Sequence, residues 1–222
     1  MDAVQTRKSF DEELHEMQQD LLRMGSVVEQ MLAGSVRALR ERNALMAEEI
    51  IATDDIVDGY NLSIEQRCLR LLALQQPMAR DLRMIAAALY IIKDVERMGD
   101  YAVDIAKAAK KLADMDPIEP LARIPRIAEI VHTMLHDSLQ AFVNHDVEAV
   151  SEVAREDDEV DLAYRQIRDE IIDLIQKDPR TALRGVELVL VARYLERIAD
   201  HITNVGERIA YMETGEIREL HT

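Results

Sequence analysis

A single cysteine, Cys68, rules out an internal disulfide. The first residues lack the charged-then-apolar pattern of a secretory leader, so the chain is expected to remain in a reducing cytoplasm. Tryptophan is absent, and with only 7 Gly, 5 Pro and 2 Phe, a turn-rich sheet protein built on aromatic strands is excluded in favour of an all-α fold. Long apolar runs are missing as well: Met84 to Ile92 is the longest, far short of the roughly 20 residues that span a bilayer. Membrane contact is therefore expected only peripherally, through partners. Basic residues are scarce, 27 against 43 acids, and the formal charge of −16 argues against nucleic acid, anionic lipid and direct phosphate binding. Cations and basic protein surfaces suit such a chain.

Apolar residues recur at helical spacing along nearly the whole sequence. Ser9 and Glu12 read as a capping box opening a first helix over about 9–42, on a stripe from Phe10 to Leu39. Asn43 reads as the cap of a second helix that stops near Gln76, before Pro77. A third spans about 78–112, and the proline-bearing stretch 114–120 is a linker. The pattern then restarts: a fourth helix from about Ile124, a fifth after Asp146 and ending near Pro179, and a sixth over about 181–213, closing near Gly215.

The halves also match residue by residue. Met31, Ser35, Asp54, Asp55, Val57, Asp58 and Leu71 recur 103 positions on as Met134, Ser138, Asp157, Asp158, Val160, Asp161 and Leu174. Glu96, Arg97 and Asp100 recur 100 positions on as Glu196, Arg197 and Asp200. A long-period repeat in helical sequence implies two tandem, pseudo-symmetric three-helix bundles, residues 1–113 and 121–222.

Carboxylates carry the chemistry. Asp54 and Asp157 fall on apolar stripes, where an unpaired charge costs several kcal/mol, and each has a second acid one turn on, Asp58 and Asp161. Glu96 with Asp100 and Glu196 with Asp200 repeat that spacing on the third helix of each unit. Antiparallel packing of the second and third helices brings four carboxylates together per unit. Their repulsion calls for a bound cation, and all-oxygen donors suit hard ions such as Mg²⁺, Mn²⁺ or iron. Acids four apart also arise by chance on solvated faces; duplication at matching positions sets these apart. Arg97 and Arg197 fit structural ion pairs with the neighbouring acids. Glu129, His132 and His136 have the spacing of di-iron bundle ligands but lack a second such motif in the matching place. No Gly-rich phosphate loop, nucleophile elbow or Ser/His/Asp grouping is present, so the sequence points away from an enzyme. A ferritin-like carboxylate-bridged metalloenzyme is the alternative.

Leu82-Arg83 followed by Lys93-Asp94-Val95-Glu96-Arg97-Met98-Gly99-Asp100-Tyr101-Ala102, and then Ala192-Arg193-Tyr194-Leu195-Glu196-Arg197-Ile198-Ala199-Asp200-His201, resemble the PhoU family of phosphate-signalling regulators. The resemblance covers nearly the full chain. It implies two three-helix bundles with multinuclear iron or zinc clusters on Asp54 with Asp58, Glu96 with Asp100, Asp157 with Asp161, and Glu196 with Asp200. It further implies a homodimeric negative regulator linking the phosphate-specific ABC transporter to a sensor histidine kinase and restraining phosphate uptake when phosphate is plentiful. Two positions depart from the family's habit: Asp104, where Asn is frequent, and Ala199, where Gly is frequent.

Overall fold

The computed structural model describes residues 3–216, with side chains from residue 8 onward except Gln75, so the outermost bounds at 1 and 222 lie outside the described residues. Among the described residues seven α-helices run in the order α1 (Ala3–Glu41), α2 (Ala44–Ala52), α3 (Asp54–Gln75), α4 (Ala79–Leu112), α5 (Ile124–Asn144), α6 (Val147–Lys177) and α7 (Ala182–Thr214). Short 3-10 turns at Glu119–Arg123 and Pro179–Thr181 lead into α5 and α7. The chain between Leu112 and Glu119 is non-helical and carries Pro117, while Pro120 falls in the 3-10 turn that follows.

The punctuation repeats between halves. Arg42 and, 103 positions on, His145 both adopt left-handed backbone (φ 56° and 58°) that turns the chain out of α1 and α5. Asn43 then caps α2 by accepting from Met46 N, and Asp146 caps α6 by accepting from Glu148 N and Ala149 N.

Two expectations need correction. Ser9 does not open α1, which is already helical at Ala3. The second helix is not continuous either: it breaks at Thr53, whose hydroxyl donates to Glu49 O (2.9 Å) and whose N–H bonds to Ile50 O (3.0 Å), tightening the turn and separating α2 from α3. The position 103 residues later is Glu156, and there α6 runs straight through.

Within each half the second and third helices lie antiparallel. Lys93 reaches Glu65 (3.6 Å) across α3 and α4, and the Gly185 backbone of α7 presses on Ile171 and Ile175 of α6. The halves share one buried cluster, contributed by both, that runs from Met17, Leu21 and Met24 of α1 to Phe142 of α5 and Ile198 of α7. α1 crosses α5 closely at Gly25, where a Cβ would collide with the Leu139 side chain. The most extensive helix pairing is α4 against α7, also antiparallel. Tyr101 stacks on Tyr194 (5.8 Å between ring centroids), and Asp94 binds His201 Nδ1 (2.8 Å) and Asn204 (3.3 Å).

Candidate metal centre

The predicted carboxylates gather along the grooves between α3 and α4 and between α6 and α7. In the first half, Asp54 opens α3 at the Thr53 break and is half-buried. Burial raises its carboxyl above the ordinary range, and the charges of Asp58, Asp100 and Asp55 raise it further. Glu96 is raised by burial and then by Asp100 and Asp58, against Arg97. All four acids of this unit therefore act on one another across the α3–α4 groove.

In the second half, Glu196 is the deeply placed member, 6% exposed. Burial first and Asp200 next push it up to about 7, with Asp161 adding to the rise and Arg193 and Arg197 opposing it. Among the described residues its buried Oε2 has no hydrogen-bond partner, while Oε1 is held by Arg193. Asp157 is half-buried one turn before Asp161 on α6. The stripe reading thus misplaces Asp54 and Asp157: their lines continue geometrically from the core, but α4 and α7 present acids rather than apolar side chains to these grooves, so the grooves stay partly open. The sealed carboxylate is on α7.

Arg97 binds Asp100 (2.9 Å) and approaches Glu96 (3.7 Å), and Arg197 binds Asp200 (3.3 Å), as expected of structural ion pairs. Two further arginines escape the sequence reading. Arg193 pairs with Glu196 and Arg165 with Asp161 (2.6 Å). Position 93, equivalent to 193, is a lysine paired with Glu65 that acts on Glu96 through its charge, whereas Arg193 binds Glu196 directly. The first half also has the N-terminus of α3, whose dipole favours the anions of Asp54 and Asp55. Asp104 is engaged by Lys107 (3.0 Å). A Cβ at Gly99 would make only ordinary contact with Val57 (3.4 Å), which is why alanine is accommodated at the equivalent position 199.

These residues fit a hard cation: clustered oxygen donors, mutual repulsion to relieve, and one buried oxygen left unpartnered. Among the described residues no three His, Cys, Asp or Glu side chains are already drawn into a closed ligand set. The histidines of the di-iron-like motif stand elsewhere. His136 binds Glu29 (3.2 Å), and His132 lines a cleft beside α1.

The PhoU domain family model matches twice, at residues 21–109 and 124–209. The chain belongs to the PhoU family. A phosphate-specific transport system accessory protein PhoU homologue of Clostridium acetobutylicum is 39% identical over 97% of this chain and 99% of its own. One from Aquifex aeolicus is 40% identical over 92% and 93%. The crystal structure of PhoU from Pseudomonas aeruginosa superposes with a TM-score of 0.90 at 31% identity, covering 93% of this chain and 100% of that one. The phosphate transport system regulatory protein PhoU from Streptococcus pneumoniae gives 0.88 at 35% identity, over 94% and 99%. The ferritin-like alternative finds no support among these PhoU relatives. Among the described residues no helix is long and apolar enough to cross a membrane.

Proposed function

We propose that this protein is a regulatory accessory of a phosphate-specific transport system, restraining phosphate uptake and starvation signalling when phosphate is plentiful. The observation that carries this reading is the PhoU match in both halves, with relatives named as phosphate-specific transport system accessory proteins along nearly the whole chain. In this role it acts without catalysis, as a cytoplasmic homodimer that joins the ABC transporter to a sensor histidine kinase. The net charge of −16 favours contact with basic protein surfaces over capture of free phosphate. Deletion of the gene is expected to raise phosphate uptake and alkaline phosphatase at high phosphate; unchanged reporter activity in such a strain overturns the role.

The metal reading belongs to the same proposal. Asp54, Asp58, Glu96 and Asp100, with Asp157, Asp161, Glu196 and Asp200, hold iron or zinc, Mg²⁺ or Mn²⁺ being chemically suited substitutes. The bound ion supplies positive charge that lets the two helices of each groove approach. Arg97, Arg193 and Arg197 neutralise the same acids in its absence. Elemental analysis of protein purified without chelator is expected to return stoichiometric metal, reduced in Glu96→Ala and Asp157→Asn. Protein free of metal sinks this part, and steady oxygen or peroxide turnover abolished by Glu96→Ala sinks the adaptor reading.

A further inference from the structure

A large cavity is lined by none of the eight candidate carboxylates, although Ile50 in its lining stands one turn before Asp54. It is a cleft of about 770 Å³ between α1, α2 and the start of α5, within the range of small-molecule sites. Leu32, Val36 and Ile50 give it an apolar floor, and Arg37, Arg40 and His132 stand on its walls.

The internal repeat supplies a control for this cleft. Shifting Gly34, Arg37 and Ile50 by 103 gives Asp137, Gln140 and Val153, which line a second, smaller cleft of about 340 Å³ together with Glu152 and Glu156. Two sites built on the same helix arrangement thus carry opposite charge, so the fold itself does not demand arginine here. The crossing of α1 and α5 differs in the same sense. Glu29 and His136 bind each other on one side (3.2 Å), and the equivalent pair on the other side is His132 and Ala33. The small Ala33 leaves that side open, and both residues line the larger cleft.

The arginines are also under-used. The hydrogen bond found for the Arg37 side chain runs from Nε to the Met46 thioether (3.3 Å), a weak acceptor for a group with five donors. Arg40 has the exposed neighbour Glu41 (3.3 Å), a surface pair that contributes little. In a chain with 43 acids to 27 bases, two guanidiniums one turn apart form a local basic patch with donors suited to an anion. The volume is too large for a bare oxyanion. A phosphate on Arg37 and Arg40 leaves room beside it for an attached ribose and base, with Ile50 and Glu129 in the same lining.

We propose that the cleft between α1, α2 and α5 binds a nucleoside phosphate, with Arg37 and Arg40 taking the phosphate. This is independent of the metal reading, since none of the cleft's residues belongs to the carboxylate grooves.

Isothermal titration calorimetry of the full chain as purified, with ADP, ATP and inorganic phosphate in separate titrations, tests it. Saturable nucleotide binding is expected, with Arg37→Ala and Arg40→Ala each weakening it about tenfold. Ala33→Phe, which fills the cleft without changing charge, is expected to weaken it as well. All three positions are exposed, so folding should be preserved and is checked by circular dichroism; Arg37→Gln replaces any alanine variant that fails. No saturable nucleotide binding, inorganic phosphate binding as tightly as ADP, or unchanged affinity in the arginine variants overturns the proposal.

Discussion

A glutamate shut away from water keeps its proton, and Glu196 is held in that condition by burial and by Asp200. In the unfolded chain it ionises near 4.5, and in the fold near 7. Between those values the folded state retains a proton that the unfolded state has lost. The stability of metal-free protein should therefore fall as pH rises from about 4.5 to about 7, and level off above. Asp54 and Glu96 are shifted the same way and add to the slope. Glu196→Gln should remove its largest part, read from urea midpoints across that range; an unaltered slope would show that the carboxylate is solvated. The eight acids were legible because their spacing survives duplication. Their ranking was not, because the spacing of Asp157 and Glu196 says nothing of which groove wall is sealed. Arg193 and Arg165 left a signal only as basic residues three or four positions from an acid on the same helix.

Helix ends explain where the elements behaved as expected and where they did not. Asn43 and Asp146 announce their helices because a short polar side chain has one geometry in which to satisfy the free N–H groups beyond it. The break at Thr53 leaves no such mark, since threonine within a helical stripe is ordinary and only its bond to Glu49 O reveals the bend. At the far end of α3, Gln76 takes left-handed backbone (φ 46°) that costs any residue with a Cβ. Gln76→Gly is expected to stabilise the protein by about 0.5–1 kcal/mol in chemical denaturation. A loss of stability would mean that the side chain of Gln76 does more than its backbone suggests.

A second element-scale contrast joins α1 to α3 and the α5 entry to α6. Arg67 binds Glu13 (3.1 Å), Asp20 (3.3 Å) and Glu16, whereas the positions equivalent to Asp20 and Arg67 are Arg123 and Glu170, paired at 3.0 Å with the charges exchanged. The exchange preserves each tie while making the halves electrostatically distinct. Arg67→Ala leaves three carboxylates without their shared cation and should cost about 1 kcal/mol, more at low salt than at high. Equal loss at both ionic strengths would assign the effect to packing.

At the scale of the molecule, the seam between α4 and α7 obeys the repeat as strictly as the halves do. Shifting Tyr101 and Tyr194 by 100 in opposite senses gives His201 and Asp94, so the aromatic stack and the hydrogen-bonded pair are one contact made twice with different chemistry. Tyr101 and His201, 5.9 Å apart, flank the axis relating them. A double-mutant cycle on Tyr101→Ala and Tyr194→Ala should give a coupling of about 0.5–1.5 kcal/mol, and additive losses would show that the rings do not cooperate. Duplication was plain in the sequence. Which helix of one copy meets which of the other was not, because apolar stripes specify that a face is covered without naming its cover.

The common core across that seam makes each half an incomplete object. Cut within the non-helical stretch after Leu112, the two fragments would each leave a long greasy face bare, and produced together they should reassemble into one particle. Made alone, the leading fragment has a ready substitute in its own twin. Two copies meeting head to tail along α4 would set Tyr101 against Asp94 twice, rebuilding in outline the shape of a one-repeat ancestor before its gene was doubled.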